Sequence, residues 1–168
     1  MNIQAKGLLD SLKSTVYTPL AIYLMEQKRD PESHWAAYLA AMNPDQSNHP
    51  IFWTEEELDW LKGSEFIGFN NQQKRKIDAD YTLVAENIEG FSERFSLREF
   101  QESWKIVQSK IFNITDENGD PVVQALVPIG DMFPHKNPPA QSLEFGWGSH
   151  AGEDGIIFTA TKDIAQGE

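Results

Sequence analysis

No cysteine occurs anywhere in the 168 residues. Disulfides, cysteine-ligated zinc and thiolate nucleophiles are therefore excluded, while the redox compartment stays open. No apolar run approaches the length of about 18 residues that a membrane-crossing helix requires. The opening Met1-Asn2-Ile3-Gln4-Ala5-Lys6 leads into no apolar signal core, and Asp10 between Lys6 and Lys13 makes a poor transit peptide. An intracellular protein without membrane insertion is the expectation. Positive charge is scarce too: 14 Lys and Arg stand against 26 Asp and Glu, a net charge of −12. Both halves are acidic, and residues 85–168 hold only 6 bases against 14 acids. Such a surface repels phosphate, which argues against a nucleic-acid partner and against anionic membranes. The one compact basic run, Lys74-Arg75-Lys76, reads as a solvated helix face.

Apolar and aromatic material is plentiful. Hydrophobic residues make up 40% of the chain, with 10 Phe, 5 Trp and 4 Tyr. That suffices for a core without a metal or covalent staple. The first half patterns as helices. Leu20, Ile22, Tyr23, Leu24 and Met25 run into Glu26–Arg29, and Asp30-Pro31 breaks the segment. A second helix is predicted from Ser33, with Trp35, Tyr38, Leu39 and Met42 on one face, ending at Asn43-Pro44. Thr54-Glu55-Glu56-Glu57 is a capping box, and Gly63 a stop after Leu58 and Leu61. Ile77, Tyr81, Val84 and Ile88 mark a longer helix closed by Gly90. Ser96-Leu97-Arg98-Glu99 is a second capping box, and Phe100, Trp104, Val107 and Ile111 form the stripe behind it.

After Asn113 the pattern changes to strand. Asp116–Asp120 is turn chemistry and Val122–Val127 a short β run. Leu143, Phe145 and Trp147 alternate on one strand, Ile156, Phe158 and Ala160 on another, with a hairpin-type loop over Gly148–Gly155 between them. Helices first and short strands after give an α+β class.

Local chemistry is thin. Asp116, Asn118 and Asp120 have the opening spacing of a calcium loop, but its sixth and twelfth places hold Pro121 and Val127 instead of glycine and glutamate, so the turn reading prevails. His34, His49, His135 and His150 show no metal-ligand spacing. No G-x-S-x-G elbow and no glycine-rich phosphate cradle are present. The segment Ala125–His135 stands out. A β run passes straight into a proline-containing stretch with an apolar Met132-Phe133, expected to be buried, and a polar His135. Backbone leaving a sheet in this way is a common place to hold a ligand.

These residues resemble the SET-domain family of protein methyltransferases, in the branch of the Rubisco large-subunit lysine methyltransferase and the actin histidine methyltransferase. In that branch a strand of type A-L-x-P-x-x-D-M-x-N-H leads into the cofactor site. Ala125-Leu126-Val127-Pro128, Asp131-Met132-Phe133 and His135 match it. Leu20–Met25, the Trp35-x-x-Tyr38 helix and Pro50–Leu58 followed by Leu61-Lys62-Gly63 resemble the branch's insert helices. Phe100 and Trp104 resemble its helix before the cofactor strand, and Asp163–Glu168 its turn near the end of the SET fold. The resemblance implies an α+β chain with a lead-in over 1–19, a helical SET insert over 20–95 and the C-terminal half of a SET-type fold of short strands over 96–168. It implies methyl transfer from S-adenosylmethionine to a protein lysine or histidine, with His135 as a cofactor contact.

Departures from the pattern carry their own expectations. The family's asparagine is Pro134 here, and the arginine that closes the preceding helix aligns with Phe112. The catalytic tyrosine falls beyond Glu168, and the opening Gly-x-Gly strand and the substrate-binding helical domain have no match. Together they imply a homologue without catalytic residues of its own. It would bind no S-adenosylmethionine and no metal, and would act as a structural or interaction subunit with other proteins. The alternative is an active methyltransferase whose remaining parts lie outside this sequence. Sheet edges lacking their neighbours predict pairing with another polypeptide.

Overall fold

The computed structural model describes residues 3–42, 45–116, 118–133 and 141–166. Seven α-helices come first: α1 (Ile3–Ser11), α2 (Tyr17–Arg29), α3 (Ala36–Ala41), α4 (Glu55–Asp59), α5 (Phe66–Asn87), α6 (Phe91–Arg94) and α7 (Leu97–Lys110). Four strands follow: β1 (Ile111–Thr115), β2 (Pro121–Leu126), β3 (Leu143–His150) and β4 (Glu153–Ala160). The α+β order is as expected. The chain divides into one unit over 1–109 and another over 110–168.

Local chemistry explains several helix ends. The Ser14 hydroxyl accepts from the Tyr17 amide at 3.1 Å and starts α2 ahead of the expected Leu20. Pro19 falls in the first turn, where its missing N–H loses no intrahelical bond. Asp30 is extended, so α2 ends where the Asp-Pro pair requires. Both capping boxes form. Thr54 and Glu57 bond reciprocally at the start of α4, and Ser96 and Glu99 do so at the start of α7. Gly63 and Gly90 both turn with positive φ, +88° and +70°, where a side chain would be strained.

In the first unit the interior is apolar with a few fixed polar anchors. Ala21, Ile77, Val84, Phe100 and Val107 are fully enclosed. Tyr81 meets Phe91 and Phe100 with ring centroids 5.9 and 5.5 Å apart, and its hydroxyl donates to the Phe95 carbonyl at 2.8 Å. Trp104 is buried, as its helical stripe predicts; its packing partners, expected on the Val122–Val127 strand, are residues of α2 instead. It meets the edge of Tyr17 at 4.9 Å and donates its indole N–H to Thr18 Oγ1 at 3.2 Å. Thr18 in turn donates to the Asp80 carboxylate at 2.6 Å, which also accepts the Ser14 amide at 3.0 Å and the Lys13 amide.

One buried cation has no acidic partner. Lys105 is 2% exposed, and its ammonium donates to the side-chain oxygens of Gln73 and Gln108. Burial pulls it down to about 8 from the ordinary 10.5. His49 sits at about 4 instead of 6.5, first because it is desolvated and second because of the Lys105 charge.

Among the described residues, the second unit carries two antiparallel hairpins. The helix stops at Lys110 and β1 begins at Ile111, so Ile111 belongs to a strand and not to the helical stripe, and the change comes before Asn113. The β1–β2 register pairs Ile111 with Leu126 and Asn113 with Gln124, with an irregularity between Ile114 and Thr115. Asp116 makes the connecting turn, accepting the Asn118 and Asp120 amides at 2.9 Å each. The stretch Gly148–Gly155 is a hairpin, as expected, but its connection is much shorter than the whole stretch. Gly148 pairs with Gly155 and His150 with Glu153, leaving only Ala151 (φ 54°) and Gly152 (φ 86°) at the tip. Two residues with positive φ match the right-handed twist of the flanking strands.

Two outcomes follow from the first unit. Asp80→Ala removes a charged acceptor from two backbone amides and a hydroxyl, and should cost about 3–5 kcal/mol in urea denaturation; a loss under about 1 kcal/mol would show the network to be dispensable. The second concerns pH. Lys105 has a folded pKa below its unfolded one, so the unfolded chain binds more protons between about 8 and 10.5 and stability rises with pH through that window. For His49 the same sign means stability is lost as pH falls from about 6.5 to 4. Lys105→Met should flatten the alkaline rise and raise stability at neutral pH by about 1–3 kcal/mol. An unchanged alkaline limb in denaturation series would refute this assignment.

Candidate functional site

The segment leaving β2 is held from several directions. Val127-Pro128 ends the ladder, and Ile129 then takes φ 73° and ψ −45°. A β-branched residue at positive φ is a genuine backbone outlier. A short turn over Gly130–Met132 follows, with the Asp131 amide bonded to the Val127 carbonyl at 3.1 Å and the Met132 amide to the Ile129 carbonyl at 3.0 Å. Gly130 is buried. A Cβ there would lie 2.5 Å from Phe158 Cζ and 2.9 Å from Val127 Cγ1, so only glycine lets the turn press this close to β4. The Asp131 carboxylate, 1% exposed, pairs with Lys110 Nζ at 3.1 Å, and the same ammonium reaches the Asp131 carbonyl at 3.4 Å. The last residue of α7 is thus tied to the middle of the turn.

Aromatic rings back the segment. Phe112 on β1 meets Phe145 at 4.8 Å and Phe158 at 5.9 Å, both edge-on, and Phe133 lies 5.4 Å from Phe158. This cluster joins the two hairpins. Met132 and Phe133, expected to be buried, are 46% and 47% exposed, and Ile129 is 70% exposed. The tight turn over Gly130 spends the buried position on the glycine and throws the flanking side chains outward. The arrangement offers an apolar, solvent-facing surface over a buried ion pair. It suits binding rather than proton transfer.

The sequence-predicted positions fare unevenly. His135 and Pro134 lie outside the described residues. Phe112, aligned with the family's helix-closing arginine, is a strand residue within the ring cluster; the cation at the end of the helix is Lys110. Lys110 was missed, although a basic residue in the last turn of a helix beside an acidic motif is a readable signal. Among the described residues no group of His, Asp and Glu is arranged to hold a metal ion. No helix among them is long and apolar enough to cross a membrane.

No family model matches the chain. Its sequence is 27% identical over 136 residues to the chloroplastic fructose-bisphosphate aldolase–lysine N-methyltransferase of Arabidopsis thaliana, covering 78% of this chain and 27% of that protein. It is 24% identical over 126 residues to the actin-histidine N-methyltransferase of Xenopus tropicalis, covering 70% of this chain and 22% of the other. The chain thus spans about a quarter of the length of the curated relatives it matches. Among solved structures, the SET domain of LSMT bound to lysine and AdoHcy superposes with a TM-score of 0.68 at 18% identity, over 92% of this chain and 36% of that one. The chain has the fold of a SET domain and is similar in sequence to SET-type protein lysine and histidine methyltransferases.

Proposed function

We propose that the chain serves protein N-methylation, contributing the side of a SET-type active centre that takes S-adenosylmethionine, with a lysine or histidine of another protein as acceptor. The observation that carries this reading is the Lys110–Asp131 pair beneath the exposed turn at the exit of β2. The residues fit the cofactor chemically. Ile129, Met132 and Phe133 present apolar surface to solvent for the adenosine face, and the buried pair and Gly130 hold the turn's direction. His135 joins them by resemblance. When bound, S-adenosylmethionine would supply a methyl group to a neutral acceptor nitrogen, the S–CH3 bond breaking to leave the neutral thioether S-adenosylhomocysteine and the nitrogen releasing a proton to solvent. The expectation of no cofactor binding rests on the lost arginine and asparagine positions and on the unmatched opening strand; Lys110 at the end of the helix answers the first of these, and the other two remain as its support.

A second reading keeps the fold as a structural or interaction subunit without methyl transfer. Pro134 favours it, because proline offers no amide donor where the family has asparagine. Either way protein partners are part of the proposal: each hairpin has two strands, so each strand is paired on one side only among the described residues.

Calorimetric titration of the chain with S-adenosylmethionine separates the readings. The first expects a Kd of about 100 μM or tighter, roughly −5.5 kcal/mol or better, and a loss of about tenfold in Lys110→Met. Lys110→Arg should keep binding, since a guanidinium can also pair with Asp131. No heat up to about 1 mM ligand would overturn the first reading in favour of the second.

A further inference from the structure

Trp60 is 87% exposed, the most exposed of the large apolar side chains among the described residues. It sits at the end of α4, in a helix–turn–helix where Phe66 and Phe69, at the start of α5, are 41% and 58% exposed with rings 6.1 Å apart. Three outward aromatics within ten residues are a large amount of apolar surface to leave in water. The charges around them have one sign. Glu55, Glu56, Asp59 and Glu65 are exposed, and none of their carboxylates makes a hydrogen bond or ion pair among the described residues; Lys62 is the single base in this stretch. Three other carboxylates of this unit are paired, Glu26 with Arg94, Glu99 with Arg29 and Glu102 with Arg98, while Glu32, Glu86 and Glu89 are exposed without an ion pair among the described residues but have no exposed aromatic cluster beside them in sequence.

We propose that the α4–α5 face docks a lysine- or arginine-bearing amphipathic segment of another protein. Its apolar residues would cover Phe66 and Phe69, a cation would lie over the Trp60 ring, and further cations would meet the uncommitted carboxylates. The sign of the surface excludes phosphate-rich partners. The proposal stands apart from the methyl-transfer reading, for it uses no residue of the Lys110–Phe133 site.

The test uses the whole chain and a labelled Leu/Lys amphipathic peptide of about 16 residues, followed by fluorescence anisotropy. Micromolar binding is expected, with a loss of about tenfold in Trp60→Ala and in the double variant Glu56→Gln/Asp59→Asn, and clear weakening from about 50 to 300 mM salt. Because the chain carries −12, two controls guard against indiscriminate attraction. A Ser/Lys peptide of equal charge should bind at least about tenfold more weakly, and Glu86→Gln/Glu89→Gln should change nothing. Equal binding by Trp60→Ala, or by the Ser/Lys peptide, overturns the proposal, as does absence of binding. Concentration-dependent dimerisation in light scattering that is lost in Trp60→Ala would overturn it in favour of a second copy as occupant. Trp60 is too exposed for its removal to unfold the chain, and an unchanged melting curve verifies that.

Discussion

The first unit depends on a single carboxylate. Asp80 projects from the middle of the longest helix and takes the amides of Lys13 and Ser14 together with the Thr18 hydroxyl. A carboxyl group with 1% exposure would be costly if left without partners; three donors make it tolerable. Directionality makes it more than tolerable. The two amides belong to the link between α1 and α2, so the carboxylate fixes where α2 starts relative to α5. Thr18 passes the constraint on, because the oxygen that donates to Asp80 accepts the Trp104 indole of α7. Apolar packing alone would let these helices slide with little penalty; the chain of bonds selects one register.

Lys105 shows what burial does when no such set exists. Its partners are amide oxygens, which satisfy protons but cannot cancel a charge. The ammonium therefore stays close to giving up its proton, and His49 nearby is pushed further toward neutrality. Asp80 holds a fold in place with a buried charge. Lys105 is a buried charge that the fold merely carries.

Helix ends were readable because capping is local chemistry: a threonine or serine three residues before a glutamate is a complete instruction. The same is true of Asp30-Pro31 and of the Asp116 turn. Asp80 was unreadable, since a lone acid inside an amphipathic helix looks like any solvated residue until a distant segment brings its amides. The start of β1 was misplaced for a related reason. Ile111 continues the apolar spacing of Phe100, Trp104 and Val107, and only pairing with Leu126, absent from any local window, draws it into a strand. In the β3–β4 hairpin glycines suggested a loop where they are ladder residues: Gly148 faces Gly155, and Ile157 crowds the first so closely that a Cβ would lie 2.8 Å away. At the candidate site the motif Ala125–His135 located the segment, but not which of its residues face out.

That last point turns on Ile129. Its φ of 73° with ψ of −45° is close to a γ-turn of the strained kind, costing on the order of 1–3 kcal/mol. Strain of this size persists only where neighbours over-determine the path. Here they do so at three flanking residues: Pro128 restricts the approach, Gly130 is locked under Phe158, and Asp131 is pinned by Lys110. Relaxing Ile129 to an ordinary β conformation would swing Gly130 off the ring and pull a nearly unexposed carboxylate from its cation. Each of those losses is comparable to the strain itself. The exposed Ile129, Met132 and Phe133 are therefore not a loose loop that happens to face solvent. They are held outward by the buried residues between and behind them, which is the condition a surface must meet to present a ligand with a fixed shape.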